Sequence, residues 1–172
     1  PAGIAMAGLM KADVYPGCTV LVTGTGSIGL AAVALARQMG AARVILAGRR
    51  DAKLAIGREM GADVLINTTR ESLVEAARAH SYRGLGVDIL LECSGAVSVM
   101  MEAPDCVHPQ GVLSVVSFFE RNLQDFPIDK LVLNQISLLG AGGNVGVTAP
   151  ILSYMENGRI SFKPLISAVY PL

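Results

Sequence analysis

Six short apolar runs alternate with stretches that have the residue pattern of helices, and this alternation constrains the fold more than any other feature. The runs are rich in Val, Ile and Leu, which is typical of strands buried on both faces of a sheet. We predict strands at Val20–Val22, Val44–Ala47, Val64–Ile66, Val87–Glu92, Val112–Phe118 and Ile136–Ala141. The predicted helices are Ser27–Met39, Asp51–Met60, Arg70–His80, Ala96–Val107, Ile128–Leu133 and Val147–Asn157. The pattern predicts an α/β fold with a doubly wound, mostly parallel six-stranded sheet and helices on both faces.

Glycine and proline mark the ends of several predicted elements. Gly40, Gly61 and Gly158 each follow a helical stretch, at the position where a left-handed conformation closes a helix. Pro104 lies inside the fourth predicted helix and predicts a kink or break there. We also expect a helix before Tyr15 and an extended tail from residue 163 onward.

The composition excludes several classes of partner. The 172 residues suit one domain, and acidic and basic residues balance at 14 each, so neither nucleic acid nor an anionic membrane is expected as a partner. Apolar runs such as Ile28–Ala36 fall short of the ~20 residues that span a bilayer. Cys18, Cys93 and Cys106 are too widely spaced for a zinc site or a disulfide framework, which suits a reducing, cytoplasmic compartment.

A glycine-rich turn follows the first predicted strand and opens the first long helix. Gly24, Gly26 and Gly29 have the spacing Gly-x-Gly-x-x-Gly, which in this context is typical of a Rossmann dinucleotide site. The first glycine permits the tight turn, the second lets a pyrophosphate approach the backbone, and the third lets the helix pack on the strand. The N–H groups of Ser27 and Ile28 would then face the anion, aided by the helix dipole. A glycine-rich turn without a ligand is the alternative.

The later strands end in small residues that predict the other half of the site. In an open α/β sheet, ligands bind beyond the carboxyl ends of the strands, where the strand order reverses. Small-residue turns follow the fourth, fifth and sixth predicted strands. We expect the nicotinamide half of a dinucleotide to lie beside Ser94, Val116, Ser117, Ala141 and Gly142.

The end of the second strand bears on the choice between NADP and NAD. An NAD site usually has Asp or Glu there, to bind the ribose hydroxyls. This chain has Gly48, which removes a charge that would repel a 2′-phosphate and leaves room for it. Arg49, Arg50 and Lys53 supply cations suited to phosphate. The sequence therefore predicts NADP over NAD. Dual specificity is one alternative, and arginines that are solvated or paired with Asp51 and Glu59 are another.

The chain resembles the cofactor-binding domain of the medium-chain, zinc-type alcohol dehydrogenases, in their sorbitol/threonine dehydrogenase-like branch. The resemblance covers essentially all of residues 1–172. It rests on VYPGCTVLVTGTGSIGL from Val14, GREMGADVLIN from Gly57, VDILLECSGA from Val87 and HPQGVLSVVS from His108, and on the opening PAGIAMAGLMKADV.

The resemblance implies that one domain binds the cofactor and a second domain carries the catalytic zinc. Members carry a separate catalytic domain whose zinc polarises the substrate oxygen, while a hydride passes between the alcohol carbon and the nicotinamide. Because this chain begins without Met and His80 and His108 match no ligand position, we expect one domain of a longer enzyme, with no catalytic or metal-binding residue of its own. The resemblance also implies an alcohol or polyol substrate for the whole enzyme. It further implies a homo-oligomer formed through the stretch from Gly140 to Gly146 and a final strand over residues 166–170.

Three other functions compete with this interpretation. A short-chain dehydrogenase needs Tyr-x-x-x-Lys, and none of the four tyrosines has Lys four residues on. A methyltransferase would have an acidic residue where Gly48 stands. A non-enzymatic nucleotide sensor built on the same domain stays open.

Overall fold

The computed structural model describes residues 1–143 and 146–171, which form seven α-helices and six strands in an alternating order. The strands are β1 (Thr19–Thr23), β2 (Arg43–Gly48), β3 (Val64–Asn67), β4 (Val87–Glu92), β5 (Val107–Val115) and β6 (Ser137–Gly140). The helices are α1 (Ala2–Lys11), α2 (Ser27–Gln38), α3 (Asp51–Glu59), α4 (Leu73–Ala79), α5 (Val97–Cys106), α6 (Ile128–Leu133) and α7 (Thr148–Glu156). Short 3₁₀ turns lie at Tyr82–Gly84 and Lys163–Leu165.

The six strands form one sheet in the order β3-β2-β1-β4-β5-β6, and every neighbouring pair is parallel. The chain moves outward from β1 to β3, returns to the centre, and continues outward from β4 to β6. The predicted doubly wound sheet is confirmed, and its order reverses between β1 and β4.

Two hydrophobic cores, one on each face, hold the sheet between its helices. The first contains Leu9 of α1, Leu35 of α2, Leu54 of α3 and Ile151 of α7. The second contains buried residues of α4, α5 and α6. Side chains of β1 alternate between these cores, which explains why its apolar run is unbroken.

The strand register brings the carboxyl ends of the strands to one edge. Thr23 of β1 pairs with Ala47 of β2 and with Glu92 of β4. Glu92 pairs in turn with Val115, and Val115 with Gly140. We call this side the carboxyl edge; every strand-to-helix turn discussed below begins there.

Three glycines end helices as predicted. Gly40, Gly61 and Gly158 have φ values of +107°, +105° and +67°. Their N–H groups donate to carbonyls of the preceding turn, on Arg37, Arg58 and Met155. Glycine adopts this left-handed conformation without steric cost, so each helix can end there.

Several element boundaries differ from the sequence prediction. Strand β5 begins at Val107 rather than Val112 and ends at Val115 rather than Phe118, whose side chain is 87% exposed. Pro104 does not end α5, which continues to Cys106. A proline near the end of a helix removes a single intrahelical hydrogen bond, and the helix stops two residues later.

The tail also differs from the prediction. Lys163–Leu165 forms a 3₁₀ turn rather than an extended segment, and residues 166–171 join no strand among the described residues. A final strand that pairs between two copies of the chain stays a prediction. Asn144 and Val145, in the stretch predicted for association, lie outside the described residues. No helix in the described ranges combines the length and apolar character needed to cross a bilayer.

Candidate functional site

A cleft of about 1060 Å³ opens at the carboxyl edge, where the strand order reverses. It is bounded by the β1–α2 turn, the ends of β2 and β3, the β4–α5 turn and the start of α5. Of the predicted residues, the cleft walls include Gly24, Gly26, Gly48, Arg49, Arg50 and Ser94.

The β1–α2 turn is built so tightly that two of its glycines cannot carry a side chain. Gly24 has φ +101°, and a Cβ there would lie 3.0 Å from the backbone of Cys93 and Ser94. A Cβ on Gly29 would lie 1.9 Å from the Gly24 carbonyl oxygen. Because neither position carries a side chain, the start of α2 packs closely on β1, and the β1–α2 turn packs closely on the β4–α5 turn.

Gly26 differs, because a Cβ there would meet nothing within 4 Å. Gly26 is the N-cap of α2, and no side chain caps the helix. Among the described residues, the N–H groups of Ser27 and Ile28 have no acceptor, as expected for the first turn of a helix. The turn therefore offers an open backbone, free donors and the positive end of a helix dipole, which together suit an anion.

The space beside Gly48 is not free, contrary to the sequence prediction. A Cβ on Gly48 would lie 2.4 Å from Cγ2 of Thr25, the residue between the first two glycines of the turn. Thr25 is only 9% exposed and fills the volume that a side chain at position 48 would need. The absence of a carboxylate at position 48 thus removes one negative charge from the cleft, but the space that its side chain would have used is occupied by Thr25.

Arg49 and Arg50 follow Gly48 directly, and both are exposed at the cleft. Within residues 1–143 and 146–171, neither guanidinium forms an ion pair. Asp51 is instead bound by Asn67 at 2.7 Å and by Arg70 at 2.5 Å, and these two hydrogen bonds lower the pKa of its carboxyl group. The alternative in which the two arginines pair with Asp51 and Glu59 is therefore not observed among the described residues. Lys53, half-exposed in α3, does not line the cleft.

A fully buried carboxylate, that of Glu92, organises the neighbouring turn. Its Oε1 accepts hydrogen bonds from the N–H groups of Ser94 at 2.8 Å and Gly95 at 3.1 Å. The hydroxyls of Ser94 and Ser117 also donate to this carboxylate, and that of Thr23 lies 3.4 Å away. Glu92 thus joins the ends of β1 and β4 to the segment that follows β5.

The remaining residues predicted for the nicotinamide half lie around the cleft without lining it. Val116 is buried against Gly8 of α1, so only its backbone is available to a ligand. The Ser117 hydroxyl is engaged by Glu92. Ala141 donates its N–H to Val115 at 2.9 Å and is half-buried, and Gly142 is exposed.

Sequence reasoning missed a polar wall on the other side of the cleft. Thr68 and Thr69 follow β3, and Ser98 and Glu102 belong to the first turns of α5. The strand-end rule applied to β3 would have found the two threonines. Ser98 and Glu102 reach the cleft because of the way α5 packs on the sheet, and this packing leaves no recognisable pattern in the sequence.

The cysteines and histidines lie apart from one another in the described ranges. No group of three or more Cys, His, Asp or Glu side chains suited to a metal occurs in the described ranges. Burial raises the pKa of each thiol, to about 12 for Cys106. His80 is exposed after α4, and His108 contacts Asp88 at the opposite edge of the sheet.

Comparison with known proteins agrees with this geometry. L-Idonate 5-dehydrogenase from Vitis vinifera is 28% identical, covering 97% of this chain and 46% of that protein. Sorbitol dehydrogenase from Gallus gallus is 28% identical, covering 100% of this chain and 48% of that protein. The chain thus spans about half the length of the curated relatives that it matches.

Solved structures share this fold over nearly the whole chain. L-Idonate 5-dehydrogenase from Escherichia coli gives a TM-score of 0.87 at 28% identity, covering 97% of this chain and 47% of that one. A candidate zinc-binding dehydrogenase from Sinorhizobium meliloti, bound to NADP, gives 0.89 at 25% identity, covering 97% and 49%. A family model described as zinc-binding dehydrogenase matches residues 27–153. The chain therefore belongs to the zinc-binding dehydrogenase family.

Proposed function

We propose that this chain is the cofactor-binding domain of an NAD(P)-dependent alcohol or polyol oxidoreductase, and that it binds the dinucleotide in the cleft at the carboxyl edge. One observation carries the proposal: the turn at Gly26 is open, and the N–H groups that follow it have no acceptor among the described residues. A pyrophosphate supplies the acceptors that this helix start lacks.

The roles of the other residues follow from their places around the turn. Gly24 and Gly29 keep the turn compact, so that a phosphate reaches the backbone of Ser27 and Ile28. The nicotinamide half lies toward Ser94, Val116, Ser117, Ala141 and Gly142. A bound nicotinamide would supply or accept the hydride that passes to or from the substrate carbon. The described residues contribute binding and orientation to that reaction.

We further propose that the cofactor is NADP rather than NAD. Arg49 and Arg50 support this, because both residues line the cleft and neither is neutralised by an ion pair in the described ranges. A 2′-phosphate would gain charge-assisted hydrogen bonds there. Lys53 would add a more distant positive charge. The relative solved with NADP has the same fold, which is compatible with this choice.

We propose that zinc and the substrate are bound outside the segment that residues 1–172 match in these relatives. Because this chain covers about half of those relatives and its described part holds no candidate metal cluster, we propose that zinc is bound by the other domain. Residues 1–172 alone should bind cofactor without oxidising alcohol. Names among the relatives point to polyols and sugar acids as the substrate class.

A variant at Gly26 tests where the cofactor binds. Gly26→Val places a branched side chain where the pyrophosphate would lie, while the open space around position 26 leaves the fold undisturbed. Ala42→Val, exposed at the opposite edge, is the matched control. In calorimetric titration with NADPH, the proposal expects binding to be lost only in Gly26→Val. Equal binding by both variants would contradict it.

A further inference from the structure

We propose that Thr25 determines dinucleotide specificity together with Gly48, because its side chain occupies the place from which a carboxylate at position 48 would reach the ribose. The inference rests on the proposed function and extends it to a residue that a search for charged groups overlooks. Gly48 and Thr25 then act together, because the side chain of Thr25 fits only where residue 48 has none.

The contact between the two residues is closer than any side chain at position 48 allows. A Cβ on Gly48 would lie 2.4 Å from Cγ2 of Thr25, 3.2 Å from its Oγ1 and 3.4 Å from its Cβ. Replacing Thr25 by Ala removes the first two contacts and leaves the third, which is an ordinary van der Waals distance. The obstruction therefore lies in the outer atoms of Thr25.

Thr25 has little freedom to move aside. It is 9% exposed and lies between Gly24 and Gly26, in the turn that packs against the backbone of Cys93 and Ser94. Rotation about its Cα–Cβ bond carries Oγ1, Cγ2 and Hβ together through three staggered positions. Relief of the 2.4 Å contact requires the rotamer that brings Hβ to the present place of Cγ2, and the burial of Thr25 restricts that rotation. A side chain at position 48 must therefore displace Thr25 or the end of β2.

The consequence concerns the adenosine ribose. With Thr25 present, an acidic residue at position 48 is disfavoured by sterics, and the charged residues that follow β2 at the cleft are Arg49 and Arg50. Glu71, after β3, and Glu102, in α5, also line the cleft. This arrangement favours a 2′-phosphate over a free 2′-hydroxyl. A change of preference from NADP to NAD should accordingly require two substitutions, one at Gly48 and one at Thr25.

Stability measurements test the contact without any cofactor. Gly48→Ala should lower the melting temperature by about 3 °C or more in the Thr25 protein. In the Thr25→Ala background the same substitution should lower it by less than half as much. A similar loss in both backgrounds would overturn the steric coupling.

Cofactor titrations test the specificity role. Gly48→Asp alone should bind NADH no better than the unaltered chain, whereas Gly48→Asp with Thr25→Ala should bind NADH at least about tenfold more tightly than Gly48→Asp. Thr25→Val keeps the volume and loses the hydroxyl, so Gly48→Asp with Thr25→Val should behave like Gly48→Asp alone.

The outcomes separate this inference from the proposed function. If the unaltered chain binds NADPH but Gly48→Asp alone gains NADH affinity as fully as the double variant, the role of Thr25 is wrong and the proposed function stands. If the unaltered chain binds neither dinucleotide, the proposed function fails, and the specificity role fails with it.

Discussion

The carboxylate of Glu92 accepts a hydrogen bond of 2.8 Å from the backbone N–H of Ser94, two residues further along the chain. The carboxylate is fully buried, and no cation pairs with it within the described part of the chain. A buried charge without a counter-ion is stable only where hydrogen-bond donors surround it. Here the donors come from the turn after β4 and from Ser117, so the charge fixes the shape of the cleft wall.

This arrangement predicts a ranking of substitutions at position 92. Glu92→Leu leaves the N–H groups of Ser94 and Gly95 without an acceptor and should lower the free energy of unfolding by about 3 kcal/mol. Glu92→Gln keeps one carbonyl acceptor and should cost less than half as much. Urea unfolding measures both, with Glu102→Leu, at an exposed position of α5, as the control. Equal costs for Leu and Gln would contradict the role of the hydrogen bonds.

The glycines of the β1–α2 turn should respond differently to alanine. Gly29→Ala forces a Cβ to 1.9 Å from the Gly24 carbonyl oxygen, so it should lower the free energy of unfolding by about 3 kcal/mol. Gly26→Ala meets no atom within 4 Å and should change it by less than about 0.5 kcal/mol. Thermal unfolding of the two variants provides the comparison. Similar losses would mean that the turn is packed differently.

A cluster at the opposite edge of the sheet predicts a pH dependence. The Tyr15 hydroxyl donates to Asp88 at 2.6 Å, and Asp88 also accepts from the N–H of Thr19 at 2.7 Å. The bond to Asp88, and then burial, raise the pKa of Tyr15 to about 12. Burial alone would raise the pKa of Asp88, but the hydrogen bonds from Tyr15, Thr19 and His108 outweigh it, so this pKa lies below its ordinary value.

Tyr15→Phe should therefore destabilise the domain by about 0.5–1 kcal/mol near neutral pH. Because the folded pKa of Tyr15 is raised, the contribution of its hydrogen bond is present below the unfolded value of about 10 and is lost as the pH rises toward 12. For Asp88, whose folded pKa is lowered, the loss occurs as the pH falls below the unfolded value of about 3.9.

Urea unfolding of Tyr15→Phe at neutral and alkaline pH measures this dependence. Tyr82→Phe, on an exposed side chain, controls for general alkaline effects. A difference between Tyr15→Phe and the unaltered chain that does not shrink above pH ~10 would contradict the assignment.

The sequence predicted the doubly wound parallel sheet and the glycine-rich turn, because both leave signals in neighbouring residues. Buried parallel strands need continuous apolar runs, and the turn needs glycines at fixed spacing. The early start of β5 was missed because Pro109 and Gln110 are exposed and carry no apolar pattern. The boundary of that strand depends on pairing with β4, which involves residues distant in sequence.

In the candidate site too, features with a local sequence signal were predicted, and features set by contacts between distant residues were not. The sequence indicated Gly48 and the arginines through their position after a strand. It could not indicate that Thr25 fills the space beside Gly48, because that contact joins residues 23 positions apart through the β1–β2 pairing. Nor did the apolar run ending at Glu92 show that this carboxylate would be buried among backbone donors.

Calorimetric titration of residues 1–172 with NADPH and NADH, at low and high salt, tests the central claim most directly. We expect NADPH to bind at least tenfold more tightly, about 1.4 kcal/mol. This gap should shrink as salt screens Arg49 and Arg50, and it should be lost in Arg49→Ala with Arg50→Ala but kept in Arg43→Ala, an exposed arginine at the opposite edge. Equal affinities for the two dinucleotides would contradict the assignment of NADP, and the absence of binding by either would contradict the assignment of the cleft.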